Sequence, residues 1–242
     1  MCAVPASRLK TALSRLADAC LPVRTVPEPL ALEAALPWLV PKVRPRFAYD
    51  TAPLRTGRPA PVFRPLAGIF AVSLAVDTPE RTLDLGEATL RRWGADFDLL
   101  VQRARGNLLG RGGEEGFLSL GPGRYRSTWG DGLDGSRLLL PGILRRLDLD
   151  GDPVAFLPNP DTLLVVGDRD AGGLRWALRG ALEFLDEDPR ALNACPLRLQ
   201  YLDWEPFQLP DGHPVLPLLR EVQARRLREE GARLKVLESL RA

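Results

Sequence analysis

Residues 153–168, read as P-V-A-F-L-P-N-P-D-T-L-L-V-V-G-D, constrain this chain more than any other stretch. Two short apolar runs, 154–157 and 162–166, carry Val, Phe and Leu, and the turn residues Pro158-Asn159-Pro160-Asp161 stand between them. Prolines there break a helix and favour a tight reversal, so the stretch predicts a β-hairpin. Neither run alternates apolar with polar, as a strand with one wet face would, so both faces are expected to be covered. The hairpin is therefore placed at the centre of a sheet, with Val154, Phe156, Leu163 and Val165 in the core.

Around it the chain reads as an α+β fold, expected as a single mixed or antiparallel sheet with packed helices. Residues 66–77 predict a strand, with a short partner at 83–85 across the turn Asp77-Thr78-Pro79-Glu80. Residues 86–109 read as helix interrupted near Gly94, with Phe97, Leu100, Val101, Ala104 and Leu108 on one face. Asn107, near its end, is expected to cap or to bond internally. A glycine turn at 110–116 leads to a second hairpin, 117–120 with 124–129. Residues 136–147 predict a helix kinked or delayed by Pro141 and Gly142, residues 173–185 another, and residues 196–204 a last strand.

Two flanking segments exceed what a minimal domain needs. Residues 7–19 have the spacing of one buried helix face, and from Pro22 to Pro65 prolines recur every few residues. That recurrence forbids long helices and central strands. Trp38, Phe47, Tyr49 and Phe63 argue against a disordered linker, so the segment reads as an extended arm over the core with a short helix at 30–38. At the other end, residues 214–242 predict a mostly helical tail with a discontinuous apolar stripe. Four prolines set it apart from the last strand, so it is expected to project and to dock on a partner or a second copy. The expected division is 1–65 arm, 66–205 domain, 206–242 linker and helix.

The motifs that name chemistries fail on inspection. Gly130-Asp131-Gly132-Leu133-Asp134-Gly135 spells a phosphate-loop pattern, but two carboxylates inside it oppose a pyrophosphate, and the strand before it is amphipathic. Asp148, Asp150 and Asp152 open like a calcium loop, yet the sixth position is Pro153 and the twelfth Asn159. His213 is the only histidine, and Cys2, Cys20 and Cys195 lie far apart, which reads as reduced thiols with no metal cluster. Cofactors and metal are accordingly expected to be none. Net charge is +2, carried mainly by Arg interspersed with acids, which argues against nucleic acid. No segment approaches the roughly 18–20 unbroken apolar residues of a membrane span, and the first residues lack a signal-peptide pattern, so a cytoplasmic setting is expected.

The polar set that remains is Asp134, Ser136 and Arg137 at an expected helix start, with Asn159 and Asp161 in the central turn. As structure, Asp134 or Ser136 would cap the helix and Arg137 would pair with Asp161 or Asp168. As a site, a helix start plus Arg137 is where an anion would bind. The order of Asp134-Gly135-Ser136-Arg137-Leu138-Leu139, Gly151-Asp152-Pro153-Val154 and Pro158-Asn159-Pro160-Asp161 resembles the C-terminal half of YtpQ-like proteins, a bacterial family defined as a domain of unknown function. Upstream, Leu83-Asp84-Leu85-Gly86 and Ala104-Arg105-Gly106-Asn107-Leu108 extend the resemblance, which spans 66–202. It implies one α+β unit and brings no activity or cofactor. The leading functional expectation is a non-enzymatic protein-binding module using the arm or the C-terminal helix. The alternative is an anion or small-molecule binder, or an enzyme, with Asp134, Arg137 and Asp161 converging in the fold.

Overall fold

The computed structural model describes residues 30–53, 59–112, 116–188 and 190–239. The helix expected at 7–19, Cys2 and Cys20 lie outside the described residues. The described chain is α+β, with two antiparallel sheets where the sequence predicts one.

In the first sheet β3 (Phe70–Asp77) is central, with β1 (Leu39–Pro45) on one side and both β2 (Phe63–Leu66) and β4 (Thr82–Asp84) on the other. The segment expected as an arm thus contributes two strands, and the β1–β3 pairing, Leu39↔Val76 to Pro45↔Phe70, crosses the expected boundary at 65/66. Its prolines permit this because of where they fall. Arg46 N–H donates to Ile69 O, so the even-numbered residues of β1 turn their N–H groups toward β3. Pro41 and Pro45 then occupy outward positions, where a missing N–H breaks no ladder. Of the outward groups left, Leu39 O accepts from Asn107 Nδ2 at 2.9 Å and Val43 N–H donates to Ser136 Oγ at 3.1 Å. Asn107 also donates to Leu36 O, so it ties its helix to the chain before β1. That approach is the short helix expected there, α1 (Leu32–Ala35) followed by a 3-10 turn (Leu36–Trp38).

Behind this sheet lie α3 (Glu87–Trp93) and α4 (Phe97–Gly110), after α2 (Arg46–Asp50). Gly94, at φ +58°, ends α3 in the left-handed conformation that glycine adopts without strain, and Asp96 caps α4 through Asp98 and Leu99 N–H. Leu90, Phe97, Leu100 and Ala104 pack on Leu39, Leu74 and Val76.

The second sheet contains β5 (Phe117–Ser119), β6 (Arg124–Ser127), β7 (Pro153–Asn159), β8 (Thr162–Gly167), β9 (Leu197–Gln200) and β10 (Asp203–Pro206) in the order β10-β9-β7-β8-β6-β5, with β7 and β8 in the middle as expected. Every residue of both strands is buried. Ala155, Leu157, Leu163 and Val165 face a core shared with Val40, Val43, Phe70 and Val72 of the first sheet. Val154, Phe156, Leu164 and Val166 face α6 (Ala171–Glu187) and α7 (Leu216–Ser239). Two apolar layers on opposite faces explain why neither strand alternates.

Three further expectations are revised. Residues 134–144 form a 3-10 turn (Asp134–Leu139) and one helical turn, α5 (Pro141–Leu144), with Pro141 breaking the run. The last strand is a hairpin, β9 (Leu197–Gln200) and β10 (Asp203–Pro206), reversing at Tyr201 with φ +53°. The C-terminal helix docks rather than projects: Leu219 and Val222 are each 1% exposed in the same core as Val215 and Phe207, and Arg225 bonds Asp186 at 2.8 Å. Pro217 lies in the first turn of α7, where proline is tolerated, and so does not hold the helix off the body.

Candidate functional site

Of the five predicted polar residues, Asp134, Ser136 and Arg137 lie in the loop between β6 (Arg124–Ser127) and α5, where their side chains turn inward. Arg137 is 1% exposed. Its Nη1 and Nη2 meet Asp131 Oδ1 and Oδ2, each at 2.9 Å, and Nη2 also donates to Arg111 O at 2.9 Å. The guanidinium lies 4.1 Å from the Trp129 ring centre, and Trp129 meets Phe117 edge-on at 5.1 Å. Arg111 in turn pairs with Asp77 at the end of β3. A two-toothed arginine–carboxylate pair is a strong, directional contact when sheltered from water. Arg137 therefore links the loop, through Arg111 and Trp129, to strands of both sheets, and its carboxylate partner is Asp131 in place of the expected Asp161 or Asp168. Asp168 accepts from Asp152 N–H at 2.9 Å and pairs with Arg198.

Asp134 and Ser136 do not cap the turn they begin. Asp134, fully buried, reaches backward to accept from Trp129 N–H at 3.2 Å and Gly130 N–H at 2.9 Å. Those are amides that a phosphate loop would offer to its ligand, and here a carboxylate of the same loop occupies them. Ser136 accepts from β1, Ser127 Oγ accepts from Leu163 N–H at 2.8 Å, and Trp204 Nε1 donates to Leu138 O at 2.9 Å. Burial drives the Asp134 pKa up, and the neighbouring Asp131 charge adds to this over the opposing hydrogen bonds. Burial acts in the same sense on Asp131, but the hydrogen bonds and charge of Arg137, with Leu133 N–H, outweigh it and hold its carboxyl below the ordinary range.

Asn159 and Asp161 form a second group. Asn159 Oδ1 accepts from Asp161 N–H at 3.0 Å, its Nδ2 donates to Asp188 at 2.6 Å, and Asp161 pairs with Arg190 at 2.5 Å. These contacts moor the central turn to the chain leaving α6. His213 Nδ1 accepts from Val215 N–H just ahead of α7. Cys195 is buried, and desolvation pushes its thiol up to about 11, away from the thiolate that reactivity requires.

Two open grooves lie elsewhere, and neither is lined by any of the five predicted residues. One, of about 500 Å³, runs between α1 and the β3–β4 turn and is lined by Leu30, Ala34, Trp38, Val76 and Leu83, with Thr78, Glu80 and Arg81. Trp38 is 40% exposed there. The other, of about 430 Å³, lies beside β5 (Phe117–Ser119) between Phe117, Tyr125, Ile143 and Leu147. Sequence reasoning missed both as sites. The available signals were a tryptophan just after a short helix and a leucine, Leu118, in a strand without charge. Comparison of the chain with family models, with curated proteins and with solved structures yields no match.

Proposed function

We propose that this protein works by binding another polypeptide, with the groove beneath Trp38 as the contact surface. One observation carries the reading: an open apolar channel holds a half-exposed tryptophan, while the polar candidates for ligand chemistry are engaged in internal bonds. Buried aromatic anchors in apolar clefts dominate the energetics of protein contacts. The channel, apolar along its floor with Glu80 and Arg81 at the rim, suits an amphipathic segment whose charged side meets both signs. The groove is favoured over the C-terminal helix, because Leu219 and Val222 are already taken up in the core. A cytoplasmic setting and kinship with the YtpQ-like family belong to the same proposal. No described helix is long and apolar enough to cross a membrane.

Paired baits test the reading. Trp38→Glu should lose the protein retained by the wild-type chain, while Leu109→Glu, altered at a residue 41% exposed outside the groove, should retain it. Equal recovery by both variants would sink the proposal.

A further inference from the structure

The two edges of the six-stranded sheet differ. β10 carries Asp203, Glu205 and Pro206, the charges and proline that keep an exposed edge from pairing with another chain. At the opposite edge, β5 and the residue after it read Phe117-Leu118-Ser119-Leu120, with no charge and no proline. Leu118 is 52% exposed and Leu120 46% exposed. Among the described residues β5 pairs with β6 alone. It is also held firm, since Phe117 packs on Trp129 and Trp129 stacks on the buried Arg137.

The backbone shows which groups this edge offers. Thr128 N–H donates to Gly116 O and Leu120 N–H donates to Arg124 O, each at 2.8 Å. Residues 116, 118 and 120 thus face β6, and Phe117 and Ser119 turn their N–H and C=O groups outward, by the alternation of an antiparallel ladder. We propose that β5 is a self-association edge, on which a second copy of this chain pairs antiparallel about a two-fold axis at Ser119. Ser119 of each protomer then exchanges two N–H···O bonds with Ser119 of its mate. Leu118 of one lies opposite Leu120 of the other, and the reverse, so four leucines share one face. The run is complementary to itself: reversed about Ser119, leucine falls on leucine and no like charges are opposed. That symmetry identifies the occupant as a second copy rather than an unrelated strand. The pairing is independent of what fills the Trp38 groove.

Sedimentation of the full chain over a concentration series tests it. The wild type should pass from monomer to dimer. Ser119→Pro removes an outward N–H that β6 does not use, so it should leave the fold's circular dichroism unchanged while weakening dimerisation at least about tenfold. Leu118→Lys with Leu120→Lys should do the same by charge. Independently, Ser119→Cys in a chain whose Cys2 and Cys20 are serine should link to itself on mild oxidation. The Cα atoms of such a pair lie about 5.5 Å apart, within disulfide range, and peptide mapping should find position 119 joined to position 119. A wild type that remains monomeric throughout overturns the proposal. So does a dimer that survives Ser119→Pro and the double lysine change and fails to link through Ser119→Cys. Trp38→Glu should leave the dimer intact, which separates this test from that of the groove.

Discussion

Arg137 shows how one side chain can look like a ligand-binding group in sequence and prove structural in the fold. Its carboxylate partner is six residues earlier, across a glycine-rich turn, and its third acceptor is a carbonyl twenty-six residues away. Replacing Asp131 by Asn should cost roughly 3 kcal/mol at neutral pH, since the guanidinium stays buried without its counter-charge. The pH dependence has a definite sign. The folded-state pKa of Asp131 is depressed, so the ion pair's stabilisation is present above the ordinary carboxylate range and is lost as pH falls through the folded value. In urea titrations the gap between wild type and Asp131→Asn should therefore close in acid, and a gap that stays constant with pH would show that the pair is not its source. A local reading does recognise Arg137 and Asp134 as unusual. It does not reveal that Asp134 reaches backward, because a 3-10 turn replaces the helix whose start it was expected to cap.

The elements differ in legibility for a physical reason. The central hairpin and α6 declare themselves locally, the first by two-sided apolarity and the second by helical period, because each residue's environment follows from its neighbours in sequence. The arm and the tail do not. Prolines at the outward positions of β1 look from sequence like proof against a sheet, and their harmlessness appears only when the partner strand is known. Residues 216–239 show a broken stripe, and only the structure reveals that Val215, Leu219 and Val222 enter the core beside Phe207. Leu219→Ala should accordingly destabilise the protein by about 2–5 kcal/mol, read as a lowered thermal midpoint. An unchanged midpoint would restore a helix that projects freely.

At the scale of the whole molecule, one apolar core draws residues from both sheets, Val43 and Phe70 from the first and Leu157 and Leu163 from the second. Such sharing makes the sheets unfold together. Tryptophan fluorescence and far-ultraviolet circular dichroism should give coincident melting curves, and two resolved transitions would mean that the sheets are separate cooperative units. The closure of β1 has a further consequence, for the chain as it is being made. Val43 and Ser136 are 93 residues apart, and at about 5–20 residues per second the ribosome delivers the second on the order of 5–20 s after the first. During that interval the outer border of β1 has no cover from Ser136 and is open to passing nascent chains. Pro41 and Pro45 reduce the hydrogen-bond donors along it, so the residues that obscure this strand in the sequence also guard it on the ribosome.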